Sequence, residues 1–110
     1  MKQYVIDELR AADYKALKAH LDEHYGPAFL DGIYWIPIDT DKLTDIQRQH
    51  RECRPHCLAV DLEQNRLACE LLVRTKTRVR CDCIQYATET QLIWIIALID
   101  NIFKQLKIIT

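Results

Sequence analysis

The chain has 110 residues and a formal net charge of −1, with 49% hydrophobic and 28% charged residues. This balance is typical of a folded globular protein and excludes an intrinsically disordered chain. The length suits one hydrophobic core, so we expect residues 1–110 to form a single domain.

No targeting or membrane-spanning segment is predicted. Asp7 and Glu8 interrupt the start of the chain before a secretory apolar run could form. The longest apolar run, residues 92–99, is far shorter than the roughly 20 residues that a spanning helix needs. The five cysteines are an odd number, so a closed disulfide framework cannot use them all. We therefore expect a soluble, cytoplasmic protein with reduced thiols.

Residues 7–25 predict a helix, because acidic residues suit its first turn and Gly26-Pro27 is a stop signal. His20 and His24 are four residues apart, so a helix would present both imidazoles on one face, where they could bind a metal. Without the glutamate of a His-Glu-x-x-His motif, two part-buried histidines near a helix end are the favoured interpretation.

Residues 33–38 predict a short strand. Tyr34 and Trp35 must point to opposite faces of this strand, so one of them should lie on the less buried side. Pro37 cannot donate to a ladder, which favours an edge position or a strand end. The polar residues 39–52 then predict a second helix, which ends before Pro55.

Residues 57–87 predict three consecutive antiparallel strands, because apolar and polar residues alternate along them. The three strands are expected over residues 57–63, 66–75 and 78–87. A hairpin closed at Gln64-Asn65 would set Leu62 opposite Leu67 and Val60 opposite Cys69, so the turn and the alternation select the same register. In the third strand the same alternation would turn three side chains into the core: Val79, Cys81 and Cys83.

The last helix is predicted to begin at Thr88, which forms a capping-box pattern with Gln91. Apolar residues at helical spacing form the stripe that should pack on the sheet: Leu92, Ile95, Ile96, Ile99, Ile102, Phe103 and Leu106. The element order α-β-α-β-β-β-α therefore predicts a two-layer α+β fold. Its four-stranded antiparallel sheet would carry the N- and C-terminal helices on one face.

Further apolar residues cover the other side of the last helix: Ile93, Trp94, Ala97 and Leu98. If they are exposed, these residues form a contiguous apolar patch of the kind that marks an interface. The alternative is that the N-terminal helix or residues 28–38 fold over them. We favour the interface, with a homodimer as the simplest assembly.

Four possible soft metal ligands lie within a short stretch: His50, Cys53, His56 and Cys57. Cys81 and Cys83 could in principle complete a four-thiolate zinc site. Strand alternation argues against it, because it turns Cys81 and Cys83 inward whereas Cys57 belongs to the outward side. We therefore predict no metal and no other cofactor, and the four residues named first stay weak candidates.

Residues 74–80 form a basic segment, in which one side of the predicted hairpin carries Arg74, Lys76, Arg78 and Arg80. Such a ribbon can follow a phosphate backbone, and the arginines of residues 48–54 could extend its field. The alternative is a solvated face that Glu70 and Asp82 partly neutralise. With a net charge near zero and no aromatic residue on the hairpin, nucleic-acid binding is the less favoured interpretation.

The sequence contains no phosphate-binding loop, dinucleotide fingerprint or nucleophile elbow, so it gives little support for an enzyme. It favours a small non-catalytic interaction module that self-associates through the last helix. The alternative is a ligand- or nucleic-acid-binding domain that uses residues 74–80. Neither a small-molecule ligand nor a particular partner is indicated.

Overall fold

The computed structural model describes residues 1–28 and 30–109, which form an antiparallel sheet with helices on one face. The elements in chain order are β1 (Gln3–Ile6), α1 (Ala11–Tyr25), β2 (Ile33–Pro37), α2 (Asp45–Gln49), β3 (His56–Leu62), β4 (Leu67–Glu70), β5 (Arg74–Thr75) and α3 (Glu89–Gln105). Short 3₁₀ turns, Thr40–Lys42 and Arg51–Cys53, flank α2. The predicted two-layer α+β class with its terminal helices is confirmed.

The main strand order of the sheet is β1-β4-β3-β2, and β5 pairs with the start of β3. The tight turn after β3 sets Leu62 opposite Leu67 and Val60 opposite Cys69, as the hydrophobic pattern predicts. A slip by one residue would turn these buried side chains to solvent, which fixes the register. Pro37 ends the edge strand β2, where a missing N–H is tolerated.

The core lies between the inner face of the sheet and the helices. Tyr34 is buried on this face, whereas Trp35 is half-buried on the outer face, as the alternation of β2 requires. The Tyr34 hydroxyl donates to Asp22 Oδ1 at 2.6 Å and so ties β2 to α1. Helix residues that join the core are Leu17 and Leu21 of α1 and Ile95, Ile99, Ile102 and Phe103 of α3.

The helix α3 starts at the predicted capping box. The Gln91 backbone N–H donates to Thr88 Oγ1 at 3.2 Å, and the Thr88 backbone N–H donates to Gln91 Oε1 at 3.1 Å. Within the part of the chain that the structure describes, no helix has the length and apolar character needed to cross a bilayer.

Two predicted helices are shorter than the sequence suggests. The first begins at Ala11 rather than at residue 7, because the chain before it pairs with β4 as β1, a strand that the sequence analysis omits. The polar helix predicted over residues 39–52 is reduced to α2 between two 3₁₀ turns. Thr44 starts α2 afresh inside that range, since its hydroxyl accepts from the Gln47 backbone N–H at 3.2 Å.

The prediction of a third long strand over residues 78–87 is wrong. Only Arg74–Thr75 pairs with β3, and residues 76–85 follow as an irregular loop. Val79 was expected in the core and is instead 87% exposed.

The reason lies in the unequal length of two paired segments. Four residues separate Cys69 from Arg74, whereas only two separate their partners Val60 and Cys57. The extra residues leave the ladder and bond to the chain that returns before α3. The Val73 N–H donates to Gln85 O at 2.9 Å, and the Ala87 N–H donates to Leu71 O at 2.7 Å.

Candidate metal centre

Four side chains from two segments converge beside the start of β3. His50 and Cys53 lie in the turn between α2 and β3, and Cys81 and Cys83 lie in the loop between β5 and α3. Their ligand atoms, one imidazole nitrogen and three sulfurs, all lie within 4.8 Å of one another. The sequence separation of about thirty residues is bridged by the fold alone.

The spacing of these atoms agrees with tetrahedral coordination. A Zn–S distance of about 2.3 Å places the sulfurs of a tetrahedron about 3.8 Å apart. The Sγ atoms of Cys53 and Cys81 are 3.7 Å apart. His50 Nδ1 lies 3.0 Å from Cys81 Sγ, which is hydrogen-bond contact and slightly closer than a shared metal would hold them. Three thiolates with one imidazole form a known donor set of structural zinc sites.

Local backbone structure presents each pair of ligands. In a 3₁₀ turn residues three apart eclipse, so the turn Arg51–Cys53 brings His50 and Cys53 to one side. The Cys53 N–H donates to His50 O at 3.0 Å and closes this turn. A second turn forms where the Ile84 N–H donates to Cys81 O at 3.0 Å, which holds the Cys-x-Cys segment compact.

Two buried glutamines support the Cys83 side of the cluster. The side-chain amide of Gln47 donates to Cys83 O at 3.2 Å, and the amide of Gln91 donates to Gln47 Oε1 at 2.9 Å. Gln91 also donates to Lys42 O at 3.0 Å. Because both glutamines belong to helix caps, the network links the starts of α2 and α3 to the ligand-bearing loop.

The thiols differ in acidity. Hydrogen bonds from the backbone N–H and the side chain of Cys83 lower the pKa of Cys81 to about 7, and His50 acts in the same direction. Burial raises the pKa of Cys53, and burial together with the neighbouring thiols raises the pKa of Cys83 to about 12. Cys81 therefore offers a thiolate near neutral pH, while the other two thiols need a bound cation to lose their protons.

Of the four weak metal candidates, only His50 and Cys53 belong to the cluster. The buried Cys57 Sγ instead contacts Pro55 O at 3.6 Å. His56 is 2% exposed, and in the described part of the chain neither of its ring nitrogens has a hydrogen-bond partner. Burial lowers the pKa of His56, with the positive charge of Arg54 adding to the effect.

The strand-parity argument that set Cys81 and Cys83 aside is wrong, because neither residue lies in a strand. Their contribution could have been found from sequence by pairing the His-x-x-Cys spacing at residues 50–53 with the Cys-x-Cys spacing at residues 81–83. The histidine pair of α1 stays apart from this cluster. His20 and His24 pack edge to face, with ring centroids 4.1 Å apart.

The outer side of α3 is only partly exposed. Ile93 is 64% exposed and Ala97 is exposed, whereas Trp94 and Leu98 are half-buried against the core. The Trp94 indole N–H donates to Asp39 Oδ2 at 3.2 Å. The exposed apolar surface is therefore centred on Ile93 and Ala97.

The basic residues of the predicted hairpin are divided between two environments. Arg74 lies in β5, and its Nε donates to Glu70 Oε1 at 2.8 Å in a half-buried ion pair. Lys76, Arg78 and Arg80 are exposed on the loop that leads to Cys81. They flank the candidate metal centre instead of lining a projecting ribbon.

No protein-family model, curated protein or solved structure matches the chain. The chemistry and geometry of its own side chains therefore carry the functional argument. Of these, the convergence of three sulfurs and one imidazole is the most specific feature.

Proposed function

We propose that this protein is a zinc-binding domain in which His50, Cys53, Cys81 and Cys83 hold one Zn²⁺. The observation that supports this proposal is the convergence of their four ligand atoms within 4.8 Å. Four protein ligands fill a tetrahedral shell and leave no position for a substrate, so the role of the ion is structural. It joins the turn before β3 to the loop after β5.

The surroundings of the cluster are consistent with this role. Residues 76–85 form no continuous ladder, so a metal bridge to residues 50–53 supplies order that the backbone does not. All five cysteines are free thiols, and thiolate ligands must stay reduced. A reducing compartment suits such a centre, and we propose the cytoplasm as its location.

The metal content of untagged, reduced protein tests the proposal. We expect one zinc per chain by elemental mass spectrometry, and thiolate-to-metal absorption after exchange with Co²⁺. Cys53→Ala should lose most of the bound metal because it removes a ligand. Cys57→Ala is the matched control: both thiols are 0% exposed and lie four residues apart, but Cys57 is outside the cluster.

Two results would contradict the zinc proposal. One is reduced protein that contains no metal and takes up no Co²⁺. The other is a Cys53→Ala chain that retains as much metal as the Cys57→Ala chain. Cys83→Ser repeats the comparison from the other ligand-bearing segment.

We propose as a second function that two copies associate through the outer face of α3. The exposed Ile93 supports this, because a large aliphatic side chain at 64% exposure beside exposed Ala97 can be buried by a symmetric partner. The polar cap of Trp94 by Asp39 would stay at the rim.

Sedimentation velocity over a range of concentrations tests this association. Ile93→Asp should shift the protein to monomer, because it would place an unpaired carboxylate in the interface. Leu30→Asp is the control, since Leu30 is 69% exposed and lies away from α3 in the chain. Equal behaviour of the two variants would refute an interface at Ile93.

A further inference from the structure

The four candidate ligands lie within two basic segments. Residues 48–54 and 76–82 together carry six Lys or Arg against two Asp or Glu, a net charge of +4 in a chain whose total is −1. A Zn²⁺ held by three thiolates and one neutral imidazole carries a net charge of about −1, so the surface around it stays positive. The fold therefore gathers positive charge around the centre.

Most of these cations are available to a partner. Arg51, Lys76, Arg78 and Arg80 are exposed, and across the residues that the structure describes no ion pair includes any of them. Arg48 differs, since it lies 3.5 Å from Asp45. Exposed, unpaired cations can contact phosphates without first breaking an internal ion pair.

An aromatic cleft adjoins the basic loop. It has a volume of about 510 Å³ and is lined by Tyr25 and Trp35, with Thr75 and Lys76 at its margin. Trp35 belongs to the outer face of the sheet, away from the core. Aromatic rings beside a lysine match a nucleotide, because a base can stack on the rings while its phosphate contacts the cation.

The loop connects the cleft to the centre through a compact turn. The Arg78 N–H donates to Thr75 Oγ1 at 3.2 Å, and the Thr75 hydroxyl donates to Arg78 O at 3.1 Å. Arg78 is also close enough to Cys53 to act electrostatically on its thiol. Lys76, Arg78 and Arg80 thus lead in order from the aromatic cleft towards the ligand Cys81.

We infer that this surface binds single-stranded nucleic acid, with a base stacked in the cleft of Tyr25 and Trp35 and phosphates contacted by Lys76, Arg78 and Arg80. A single strand is favoured over a duplex because its bases are free to stack on a protein ring. The inference rests on the proposed zinc centre, which brings Arg51 and Arg54 to the same side as the loop.

Fluorescence anisotropy of a labelled oligothymidylate of about twelve nucleotides tests this inference. The titrant is the full, reduced, zinc-loaded chain, with its metal content measured in the same sample, and the titration is repeated at several salt concentrations. We expect binding to weaken as salt rises. The slope of log K against log salt should fall by about two in magnitude for the double variant Arg78→Ala/Arg80→Ala, about one for each lost phosphate contact.

The matched control is Lys15→Ala/Lys104→Ala, which removes the same charge from exposed positions of α1 and α3. Its salt slope should equal that of the unmodified chain. If both double variants lower the slope equally, overall charge rather than this surface governs binding, and the inference fails.

Tryptophan fluorescence tests the cleft separately. The chain has two tryptophans, so Trp94→Phe leaves Trp35 as the only indole. Base stacking should quench its emission on addition of the oligothymidylate, whereas an abasic oligonucleotide of equal length should not. Equal responses to the two oligonucleotides would overturn the stacking role of the cleft.

The outcomes separate this inference from the zinc proposal. A chain that contains zinc but does not bind the oligonucleotide at low salt overturns the nucleic-acid surface and leaves the metal centre standing. A metal-free chain that binds as tightly as the loaded one overturns the dependence on zinc. A duplex that binds more tightly than the single strand overturns the choice of ligand.

Discussion

Gln47 is buried and makes three hydrogen bonds, although glutamine in a short polar helix is typical of the protein surface. Its oxygen accepts from the Thr44 backbone N–H at 3.0 Å and from the Gln91 amide at 2.9 Å, and its own amide donates to Cys83 O at 3.2 Å. One side chain therefore caps α2, bonds to α3 and fixes the loop that carries two candidate ligands.

Replacing Gln47 by alanine should lower the free energy of unfolding by about 1–3 kcal/mol, because the Gln91 amide and the Cys83 carbonyl lose a buried partner. Urea unfolding of the zinc-loaded protein measures this change. Gln49→Ala is the control, since Gln49 is exposed at the end of the same helix. Equal losses in the two variants would show that Gln47 acts through helix propensity alone.

At the scale of elements, the segment from β4 to α3 shows how a correct local pattern can predict a wrong strand. Residues 78–87 alternate between apolar and polar side chains, yet only the bridge between Leu72 and Tyr86 and two backbone hydrogen bonds tie this part to the rest of the sheet. Alternation indicates a strand only where a neighbouring strand is in register. Here the extra residues between β4 and β5 use up that neighbour.

The consequence for the site is direct. Released from the ladder, Cys81 and Cys83 form a turn whose sulfurs reach His50 and Cys53. A continuous third strand would have aligned Cys81 and Cys83 along one sheet face, about 7 Å apart, which is too far for two ligands of one ion. The irregularity of this segment is what makes the cluster geometrically accessible.

At the scale of the molecule, the core and the metal-linked margin are distinct. The described core cluster includes residues of β2, β3, β4, α1 and α3, and none of the four candidate ligands belongs to it. The core therefore holds the sheet and helices together through apolar burial. The ion would act on the loops at one end.

Removing zinc with a chelator should therefore loosen the protein locally. We expect faster amide hydrogen exchange over residues 50–53 and 76–85, with protection kept in β3 and α3. At a free zinc concentration of about 100 times Kd, the bound ion should add about 2.7 kcal/mol to the free energy of unfolding. Uniform loss of protection across β3 and α3 would show instead that the core itself depends on the metal.

The sequence alone determines the features that depend on neighbouring residues. The α+β class, the register of Val60 and Leu62 against β4, and the capping box at Thr88 all follow from local alternation, turn residues and side-chain caps. The N-terminal strand β1 escapes prediction because four residues with two apolar side chains specify a strand only when β4 offers its edge.

The candidate metal centre is decided by the tertiary structure. Its chemistry is written in the sequence as two short spacings, but their meeting depends on where the backbone of residues 70–73 leaves the ladder. That choice is a competition between the edge of β3 and the returning chain at residues 85–87 for the same backbone N–H and C=O groups. Local patterns do not encode its outcome, because both partners lie more than ten residues away along the chain.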